Sequence, residues 1–430
     1  MKVAVVALGK IGLPLAVQIA SKGVEVTGAD VSRTVVESVN RGVPHFPGET
    51  GLADRLAAVI EDGMFNATHE TTVAVTESDV VVVVVPLMTD AEGEPDFSAM
   101  DAATDAIGRG LKPGTLVSYE TTLPVGTTRD RFGPMLEEFS GMEVGEDFFL
   151  IHSPERVFSG RIFSDLRRYP KLVGGVDEES TKRGVAFYEQ VLDFDERPDL
   201  GRANGVWAME SAEAAELAKL AETTYRDVNI ALANEFAEFA EEAGIDVAEV
   251  IAASNSQPFS HIHRPGVAVG GHCIPVYPRF YLAGHPGAAL VETARRINEE
   301  VPRRVVATVN TALGGLTGRR VLILGAAYRG GIKETAYSGV FELVSVIAGS
   351  GGSPLVADPL YDEEELRSLG FVPWDGSDID AAIVQTDHPE YVSLTPKDLP
   401  GVEVVYDGRR IVDESNWRDS GVRFIVIGRG

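Results

Sequence analysis

A strand, a glycine turn, a helix and a second strand ending in an acid occupy the start of the chain, and this order restricts the fold more than any other feature. The apolar run Lys2–Leu8 is typical of a strand buried on both faces. The turn ALGKIG (Ala7–Gly12), the apolar helical pattern Leu13–Ala20 and a second strand, Val24–Ala29, follow it, and Asp30 comes next. This arrangement predicts a dinucleotide-binding unit.

The turn itself predicts an NAD site, although a tight turn without a nucleotide is the alternative. Gly9 would let the backbone approach a pyrophosphate, and the helix N-terminus would favour its charge. Asp30 would accept hydrogen bonds from the ribose hydroxyls and repel the 2′-phosphate of NADP. The first glycine of G-x-G-x-x-G is Ala7 here, so the pattern is incomplete. The predicted cofactor contacts are Leu8, Gly9, Lys10, Ile11, Gly12, Asp30, Arg33, Pro86 and Thr122.

Three further apolar runs, Val80–Val85, Leu116–Glu120 and Leu150–Ser153, predict more strands of the same sheet. The carboxyl ends of parallel strands line a ligand crevice. Thr122 follows one of these ends and could hold a catalytic water, or it could only cap the next element. Glu155 follows another and is a candidate general base, or a residue of a charged loop.

The middle of the chain, Val206–Ala243, contains no proline and predicts one long helix that Gly244 ends. Lys219, Thr223 and Arg226 fall at i, i+4 and i+7, so they share one helix face. A lysine and an arginine there could bind a diphosphate or stabilise an oxyanion, whereas Lys219 alone also fits a solvated charge. We expect such a helix to carry a subunit interface.

The segment GVAVGGHCIPVYP (Gly266–Pro278) contains Cys273, the only cysteine of 430 residues. One cysteine excludes an intrachain disulfide. The glycines before it predict a tight turn at which a ligand could approach the thiol. Cys273 is therefore either a nucleophile or a small buried hydrophobe.

The C-terminal third repeats the first pattern. A strand (Arg319–Gly325) leads into a glycine turn with Arg329, then a helix (Val340–Ala348) and a strand (Leu355–Ala357) before Asp358. The turn could bind a nucleotide phosphate, or it could be purely structural. The sequence thus predicts an α/β protein with two Rossmann-like, doubly wound domains joined by a long central helix.

Charge and hydropathy limit the partners. The net charge of −27, from 65 acidic and 38 basic residues, argues against nucleic acid and anionic membranes. No apolar run is long enough to span a bilayer, and the first residues lack a signal-peptide pattern. We expect a cytoplasmic protein without a metal. We predict an NAD-binding domain at 1–200, a central helical dimerisation and substrate region at 201–300, and a second Rossmann-like domain at 301–430, to which the family resemblance described next assigns UDP-sugar binding.

The ordered set of motifs resembles the UDP-glucose/GDP-mannose dehydrogenase family of nucleotide-sugar 6-dehydrogenases along essentially the whole chain. The matching segments are LGKIGLPLA, ETGL, ETTLPVGTT, SPERVFSG, LVGG, AELAKLAETTYRDVNIALANE and GGHC. SPER, RDVNIA and GGHCI look most similar to the branch that oxidises UDP-N-acetylhexosamines such as UDP-N-acetylmannosamine and UDP-N-acetylglucosamine.

The resemblance implies a four-electron oxidation of a sugar C6 hydroxyl by NAD. It implies that Cys273 forms a thiohemiacetal and then a thioester, that Lys219 stabilises oxyanions, that Glu155 activates the hydrolytic water, and that Thr122 holds a water. It also implies a homodimer or a higher homo-oligomer. The implied substrate contacts are Glu155, Arg156, Lys219, Thr223, Arg226, Gly270, His272 and Arg329.

Three positions depart from the family pattern. Thr223 stands in place of an asparagine, Tyr277 in place of an aspartate and Ala336 in place of an arginine. Tyr277 can donate a hydrogen bond but cannot act as a base near neutral pH at its ordinary pKa. The open alternatives are a UDP-glucose 6-dehydrogenase, a two-electron β-hydroxyacid-type dehydrogenase, and a nucleotide-sugar-binding protein that has lost catalysis.

Overall fold

The structure is a computed structural model that describes residues 1–90 and 92–430. It contains two compact units. The first comprises Met1–Glu222 and Arg279–Gly284, and the second comprises Thr223–Pro278 and His285–Gly430.

An eight-stranded sheet forms the centre of the first unit, and a separate two-stranded ribbon is formed by residues that lie in sequence between two strands of this sheet. The strands are β1 (Lys2–Val6), β2 (Glu25–Ala29), β3 (Phe65–Thr68), β4 (Val80–Val83), the ribbon strands β5 (Met88–Thr89) and β6 (Pro95–Asp96), β7 (Leu116–Tyr119), β8 (Phe149–His152), β9 (Lys171–Gly175) and β10 (Val206–Ala208). The order is β10-β9-β8-β7-β4-β1-β2-β3, and all pairs are parallel except β8 with β9. The chain reverses its direction across the sheet between β1 and β4, where a doubly wound fold binds its ligand.

Helices cover both faces of this sheet. They are α1 (Gly12–Ala20), α2 (Arg33–Asn40), α3 (Leu52–Glu61), α4 (Thr71–Thr76), α5 (Ser98–Gly110), α6 (Gly133–Ser140) after a π-helical turn (Thr128–Phe132), α7 (Ile162–Arg168), α8 (Glu178–Val191) and α9 (Ala212–Ala243), whose last part belongs to the second unit. Val3 and Val5 of β1 are fully buried in one core with Leu13 and Val17 of α1. The continuous apolar run of the first strand and the apolar helical spacing that follows it therefore bury their side chains against each other.

The second unit contains a five-stranded parallel sheet in the order β12-β11-β13-β14-β15. The remaining elements of the chain are α10 (Val247–Ser254), α11 (Tyr277–Gly284), α12 (Ala289–Leu313), β11 (Arg320–Leu324), α13 (Val340–Gly349), β12 (Ser353–Ala357), α14 (Glu363–Ser368), β13 (Ala381–Val384), β14 (Val404–Asp407) and β15 (Arg423–Val426), with 3₁₀ turns at Pro389–Tyr391, Pro396–Asp398 and Glu414–Trp417. One hydrophobic cluster lies on each face of the sheet, since Val321 and Ile323 join one cluster and Leu322 and Leu324 join the other.

The predicted fold class is confirmed. The prediction of one helix from Val206 is wrong at its start, because Val206–Ala208 form β10, which pairs in parallel with β9. The β-branched and aromatic residues of this segment favour a strand where a sheet edge is available. The hydroxyl of Ser211 accepts a hydrogen bond from the Ala214 N–H, and α9 begins at Ala212. Over the two described ranges, no helix is both long and apolar enough to cross a membrane.

Candidate active site

The turn after β1 has the shape that a dinucleotide-binding turn requires. Ala7 takes the place of the usual first glycine and has a φ of 74°, in the left-handed region that costs a residue with a side chain about 1–2 kcal/mol. A Cβ on Gly12 would lie 1.9 Å from the Ala7 carbonyl oxygen, so only glycine fits there. A Cβ on Gly9 would meet nothing within 4 Å, so this side of the turn is open.

Asp30 fixes this turn to the end of β2. One carboxylate oxygen accepts a hydrogen bond from the Leu8 N–H at 2.8 Å, and the other accepts one from the Ser32 N–H at 2.9 Å. The Leu8 side chain is fully buried in the core. Gly9, Lys10, Arg33 and Pro86 are exposed, Ile11 is half-buried, and Thr122 is buried. A glycine turn, the start of a nine-residue helix and a fixed carboxylate at the neighbouring strand end together fit an adenine dinucleotide.

A buried ion-pair network, the carboxylate–lysine cluster, surrounds Glu155. The Lys171 Nζ lies 3.0 Å from Glu155 Oε2 and 2.6 Å from Glu120 Oε2. The other oxygen of Glu155 accepts from the Arg156 N–H at 2.6 Å, and the other oxygen of Glu120 accepts from the Tyr188 hydroxyl. Lys171 begins β9, whereas the two glutamates follow β7 and β8, so the sheet brings the three groups together.

The pKa values of this cluster differ from their ordinary values in opposite directions. Burial raises the pKa of Glu120 to about 7, against the opposing effect of Lys171. Burial also acts to raise the pKa of Glu155, but the Lys171 ammonium, the Arg156 N–H and the hydrogen bond with Glu120 together outweigh it and leave that pKa below its usual value. Burial acts to lower the pKa of Lys171, and the two carboxylates together raise it instead. Glu155 is thus ionised at neutral pH and able to act as a base.

His152 lies beside the cluster at the end of β8 and is fully buried. Neither of its ring nitrogens has a hydrogen-bond partner in the structure. Burial lowers its pKa to about 3, with a smaller contribution from Lys171. The imidazole is therefore neutral and adds no second buried positive charge beside Lys171.

Helix α9 supports the loops that carry Thr122 and Arg156. The Glu216 carboxylate accepts from the Gly126 N–H at 2.6 Å and from the N–H and hydroxyl of Thr128 at 2.9 and 2.6 Å. One turn later, Lys219 is buried with 6% of its surface exposed, so the interpretation of Lys219 as a solvated charge is wrong.

Arg156 is held by two groups of the first unit. Its Nε donates to Glu222 Oε2 at 2.8 Å, and its Nη1 donates to the Pro170 carbonyl at 3.3 Å. Among the predicted catalytic residues, Thr122, Glu155 and Lys219 belong to this unit. Cys273 belongs to the second unit, with the predicted substrate residues Thr223, Arg226, Gly270, His272 and Arg329.

In the second unit, the loop of Cys273 packs on the turn after β11. The Gly271 N–H donates to the Ala336 carbonyl at 2.8 Å, and a Cβ on Gly270 would lie 2.5 Å from the Cβ of Tyr328. Cys273 is half-buried, so its thiol is neither a core side chain nor fully exposed. The loop and the turn with the half-buried Arg329 therefore form one surface.

A buried polar network between α9 and α12 holds both ends of this loop. Arg295 forms a two-point ion pair with Asp227, in which Nε lies 2.6 Å from Oδ2, and its Nη1 donates to the Pro275 carbonyl at 3.2 Å. Asn298 donates to Asp227 at 2.8 Å, and Asn234 donates to Asn298 at 3.0 Å.

At the other end of the loop, the Gly266 N–H donates to Asn234 Oδ1 at 3.1 Å. The sequence reasoning missed Asp227, Asn234, Arg295 and Asn298, as well as Lys171 and Glu120. The available signal was polar residues placed on otherwise apolar helix faces and at strand ends, in RDVN, ALANE, ARRIN, YETT and PKLVGG.

The turn after β11 is fixed by an acid as the first turn is. Asp358 follows β12, and its Oδ2 accepts from the N–H groups of Ala326 and Ala327 at 2.8 and 3.1 Å. His388 Nε2 lies 3.1 Å from the same oxygen, and the Leu360 N–H donates to Oδ1 at 2.9 Å. Thr223 is buried on α9 and Arg226 is half-buried.

Three domain models of the UDP-glucose/GDP-mannose dehydrogenase family match the chain. They are its NAD binding domain at residues 1–192, its central domain at 213–300 and its UDP binding domain at 322–414. A UDP-N-acetyl-D-mannosamine dehydrogenase of Pyrococcus horikoshii is 35% identical over 440 residues, which cover 100% of both chains.

Solved structures agree with this match. A structure described as UDP-D-ManNAc dehydrogenase from Pyrococcus horikoshii has a TM-score of 0.88 and 33% identity over 100% of both chains. A UDP-glucose dehydrogenase from Pyrobaculum islandicum has a TM-score of 0.86 and 25% identity over 100% of this chain and 98% of its own. The predicted family, enzyme class and cofactor are confirmed. The chain belongs to the UDP-glucose/GDP-mannose dehydrogenase family and is an NAD-dependent nucleotide-sugar dehydrogenase.

Proposed function

We propose that the protein oxidises the C6 hydroxyl of a UDP-N-acetylhexosamine to the uronic acid, with two NAD per sugar. One observation carries the choice of a four-electron reaction: the single thiol of the chain is half-buried on a loop that is held at both ends. The UDP binding domain match supports the nucleotide, and the name of the Pyrococcus horikoshii relative supports an N-acetylhexosamine.

Each proposed catalytic residue has one task. Bound NAD supplies the hydride acceptor for both oxidations. The Thr122 hydroxyl holds the water that receives the first hydroxyl proton, and Lys219 stabilises the oxyanions. The Cys273 thiolate adds to the aldehyde carbon, and the resulting thiohemiacetal is oxidised to a thioester. Glu155 removes a proton from the water that replaces the sulfur.

The remaining residues bind the two ligands. We propose cofactor contacts from the turn Leu8–Gly12 and from Asp30, Arg33, Pro86 and Thr122. We propose substrate contacts from Glu155, Arg156, Lys219, Thr223, Arg226, Gly270, His272 and Arg329. The corresponding domains are 1–200 for NAD, 201–300 for dimerisation and substrate, and 301–430 for the UDP-sugar. A free thiol nucleophile requires a reducing compartment, so we place the protein in the cytoplasm.

The test is the yield of NADH per sugar, with limiting UDP-N-acetylmannosamine, UDP-N-acetylglucosamine and UDP-glucose in separate assays. Two NADH with an N-acetylhexosamine supports the proposal. Two NADH with UDP-glucose alone contradicts the sugar but keeps the reaction. One NADH contradicts the four-electron reaction and favours a two-electron dehydrogenase. Binding of a UDP-sugar without formation of NADH favours a protein that has lost catalysis. In that case Tyr277→Asp and Thr223→Asn, which bring back the family residues, are the first variants to test.

Asp30 is expected to determine the choice of cofactor. In Asp30→Asn, the loss of one negative charge should raise kcat/KM with NADP relative to NAD by about tenfold to a hundredfold. The asparagine oxygen can still accept one of the two backbone hydrogen bonds. Steady-state kinetics with both cofactors measure the ratio, and a thermal melt shows whether the turn is intact. An unchanged ratio in a folded variant removes Asp30 from the adenosine site.

We also propose a homodimer that forms through α9. Its exposed side includes four large apolar residues, with exposed fractions of 37–66%: Tyr225, Leu232, Phe236 and Phe239. Such a stripe is unusual on a helix that faces only water.

Placing a carboxylate in this stripe should weaken the dimer. Phe239→Glu is expected to raise the dimer dissociation constant by roughly 30-fold or more. Lys182→Glu, on exposed α8, adds negative charge elsewhere and is the matched control. Sedimentation of both variants measures the effect, and equal dissociation constants for Phe239→Glu and the parent place the interface on another surface.

A further inference from the structure

The carboxylate–lysine cluster contains two charged groups that the proposed mechanism does not use, Lys171 and Glu120. Glu120 has no exposed side-chain surface, Lys171 has 5% and Glu155 has 12%. With both carboxylates ionised, the two acids exceed the single ammonium by one negative charge. An uncompensated buried charge is costly, and a buried site normally takes up a proton instead.

Lys171 connects Glu155 to Glu120 by a continuous chain of hydrogen bonds. Each carboxylate uses one oxygen on the same Lys171 Nζ, at 3.0 Å for Glu155 and 2.6 Å for Glu120. The second oxygen of Glu155 accepts a hydrogen bond from a backbone N–H, and the second oxygen of Glu120 accepts one from the Tyr188 hydroxyl. Glu155 is the more exposed end and Glu120 is the buried end, so the path leads away from solvent.

The groups that face the cluster from neighbouring elements do not change its charge. Tyr188 of α8 donates a hydrogen bond, and burial together with Glu120 keeps its pKa well above the usual value. His152 of β8 is neutral because burial lowers its pKa. The Arg156 guanidinium is paired with Glu222 of α9. Lys171 is therefore the one cation shared by both carboxylates among the described residues that bond to them.

We propose that Glu120 is the proton acceptor behind Glu155, and that Lys171 transfers the proton between them. The attacking water loses a proton to Glu155 as its oxygen bonds to the thioester carbon. A Lys171 N–H bond then breaks as a Glu120 O–H bond forms, and the Glu155 O–H bond breaks as a new Lys171 N–H bond forms. Glu155 is a carboxylate again, Lys171 is still an ammonium, and Glu120 holds the proton. This step rests on the proposed role of Glu155.

The chemistry of the reaction gives this acceptor a purpose. Conversion of a primary alcohol, two NAD⁺ and one water into a carboxylate and two NADH releases three protons. A base that stays protonated after one step cannot remove the next proton. A pKa of about 7 for Glu120, which burial raises, allows this group to accept a proton near neutral pH and release it again.

The first test is an infrared pH titration of the unliganded protein, which needs no substrate. The carbonyl stretch of a protonated buried carboxyl should be present below pH 7 and disappear as the pH rises through about 7. Burial raises the pKa of Glu216 to about 7 as well, so Glu120 is identified by the difference between the parent and Glu120→Gln, whose band should be smaller. Ser118→Ala is the matched control, because Ser118 contacts the Tyr188 hydroxyl and neither carboxylate, so its band should keep the parental size and midpoint. Absence of the band in the parent, or an unchanged band in Glu120→Gln, overturns the proposal.

The second test is the pH dependence of kcat. In the parent, Glu120 accepts a proton only when it is ionised, so the acid limb of kcat should lie near pH 7. Glu120→Gln removes that group, and the limb should move down to the titration of Glu155, whose pKa lies below its usual value. Lys171→Met removes the counter-charge of both carboxylates and should move the limb up. The hydrolytic step of Glu120→Gln should also slow by about a hundredfold, at the low end of proton-transfer effects.

A purely structural role predicts lost activity without opposite shifts, and shifts in the same direction overturn the proposal. If Lys171→Met does not fold, the infrared titration of Glu120→Gln decides alone. If the protein makes no NADH with any sugar, the proposed function fails while the infrared result still tests the proton acceptor.

Discussion

Cys273→Ser is expected to yield at most one NADH per sugar, where the parent yields two. A serine hydroxyl stays protonated near neutral pH, so no thiolate is present to add to the aldehyde carbon and the thioester does not form. The rate of the second oxidation should fall by on the order of 10³-fold or more, as for other lost nucleophiles. Sugar and NAD binding should change little, because the substitution exchanges one atom on a half-buried side chain.

Calorimetric titration with NAD and UDP-sugar separates binding from chemistry in this variant. Because the chain has one cysteine, alkylation of the parent reports on Cys273 alone, and bound UDP-sugar should slow it. Two NADH per sugar from Cys273→Ser would exclude the covalent mechanism.

Arg295→Met is expected to cost about 3–5 kcal/mol of unfolding free energy, because it leaves the buried Asp227 carboxylate without its partner. The melting temperature of the unit that contains it should fall by roughly 10 °C. Arg295 also donates to the Pro275 carbonyl, two residues after Cys273. The rate of the second oxidation should therefore fall by a larger factor than the affinity for NAD.

Arg296→Met is the matched control, because Arg296 is the exposed neighbour on the same helix and should change stability by about 0.5 kcal/mol or less. Adding Asp227→Asn to Arg295→Met removes the unpaired buried charge and should recover part of the lost unfolding free energy. Equal melting temperatures for Arg295→Met and Arg296→Met would show that the ion pair does not stabilise the loop. Calorimetric melts of the four proteins give these values.

The sequence predicts well where chemistry depends on neighbouring residues. The first turn, Asp30 and the glycines before Cys273 are local patterns, and the structure contains a turn, a fixed carboxylate and a loop at those positions. Buried partners from distant segments are different. Lys171 and Glu120 are 51 residues apart, and Arg295 and Asp227 are 68 apart. Each residue alone fits a solvated charge, and only the packed sheet or helix pair shows that the charges meet.

The start of α9 shows the same limit on a smaller scale. Val206–Ala208 lies in a proline-free segment, and propensity alone does not separate a short edge strand from the first turn of a helix. The edge of β9 decides the outcome, since it supplies hydrogen bonds that the isolated segment lacks. The alternative of a solvated charge at Lys219 fails for a related reason, because the acids beside it in sequence say nothing about what packs over its own face of the helix.

The two acids at the strand ends have different capacities for a ligand. The Gly331 N–H donates to His388 Nδ1 at 3.3 Å, which leaves the proton on Nε2 to be donated to Asp358. The Asp358 carboxylate thus accepts four hydrogen bonds, three on Oδ2 and one on Oδ1, so only Oδ1 keeps a lone pair for a further donor. Asp30 accepts two backbone hydrogen bonds and retains capacity for a diol. The same strand-end position therefore leaves one acceptor site on each oxygen of Asp30 but on only one oxygen of Asp358, so a diol that binds both oxygens of a carboxylate would fit Asp30 and not Asp358.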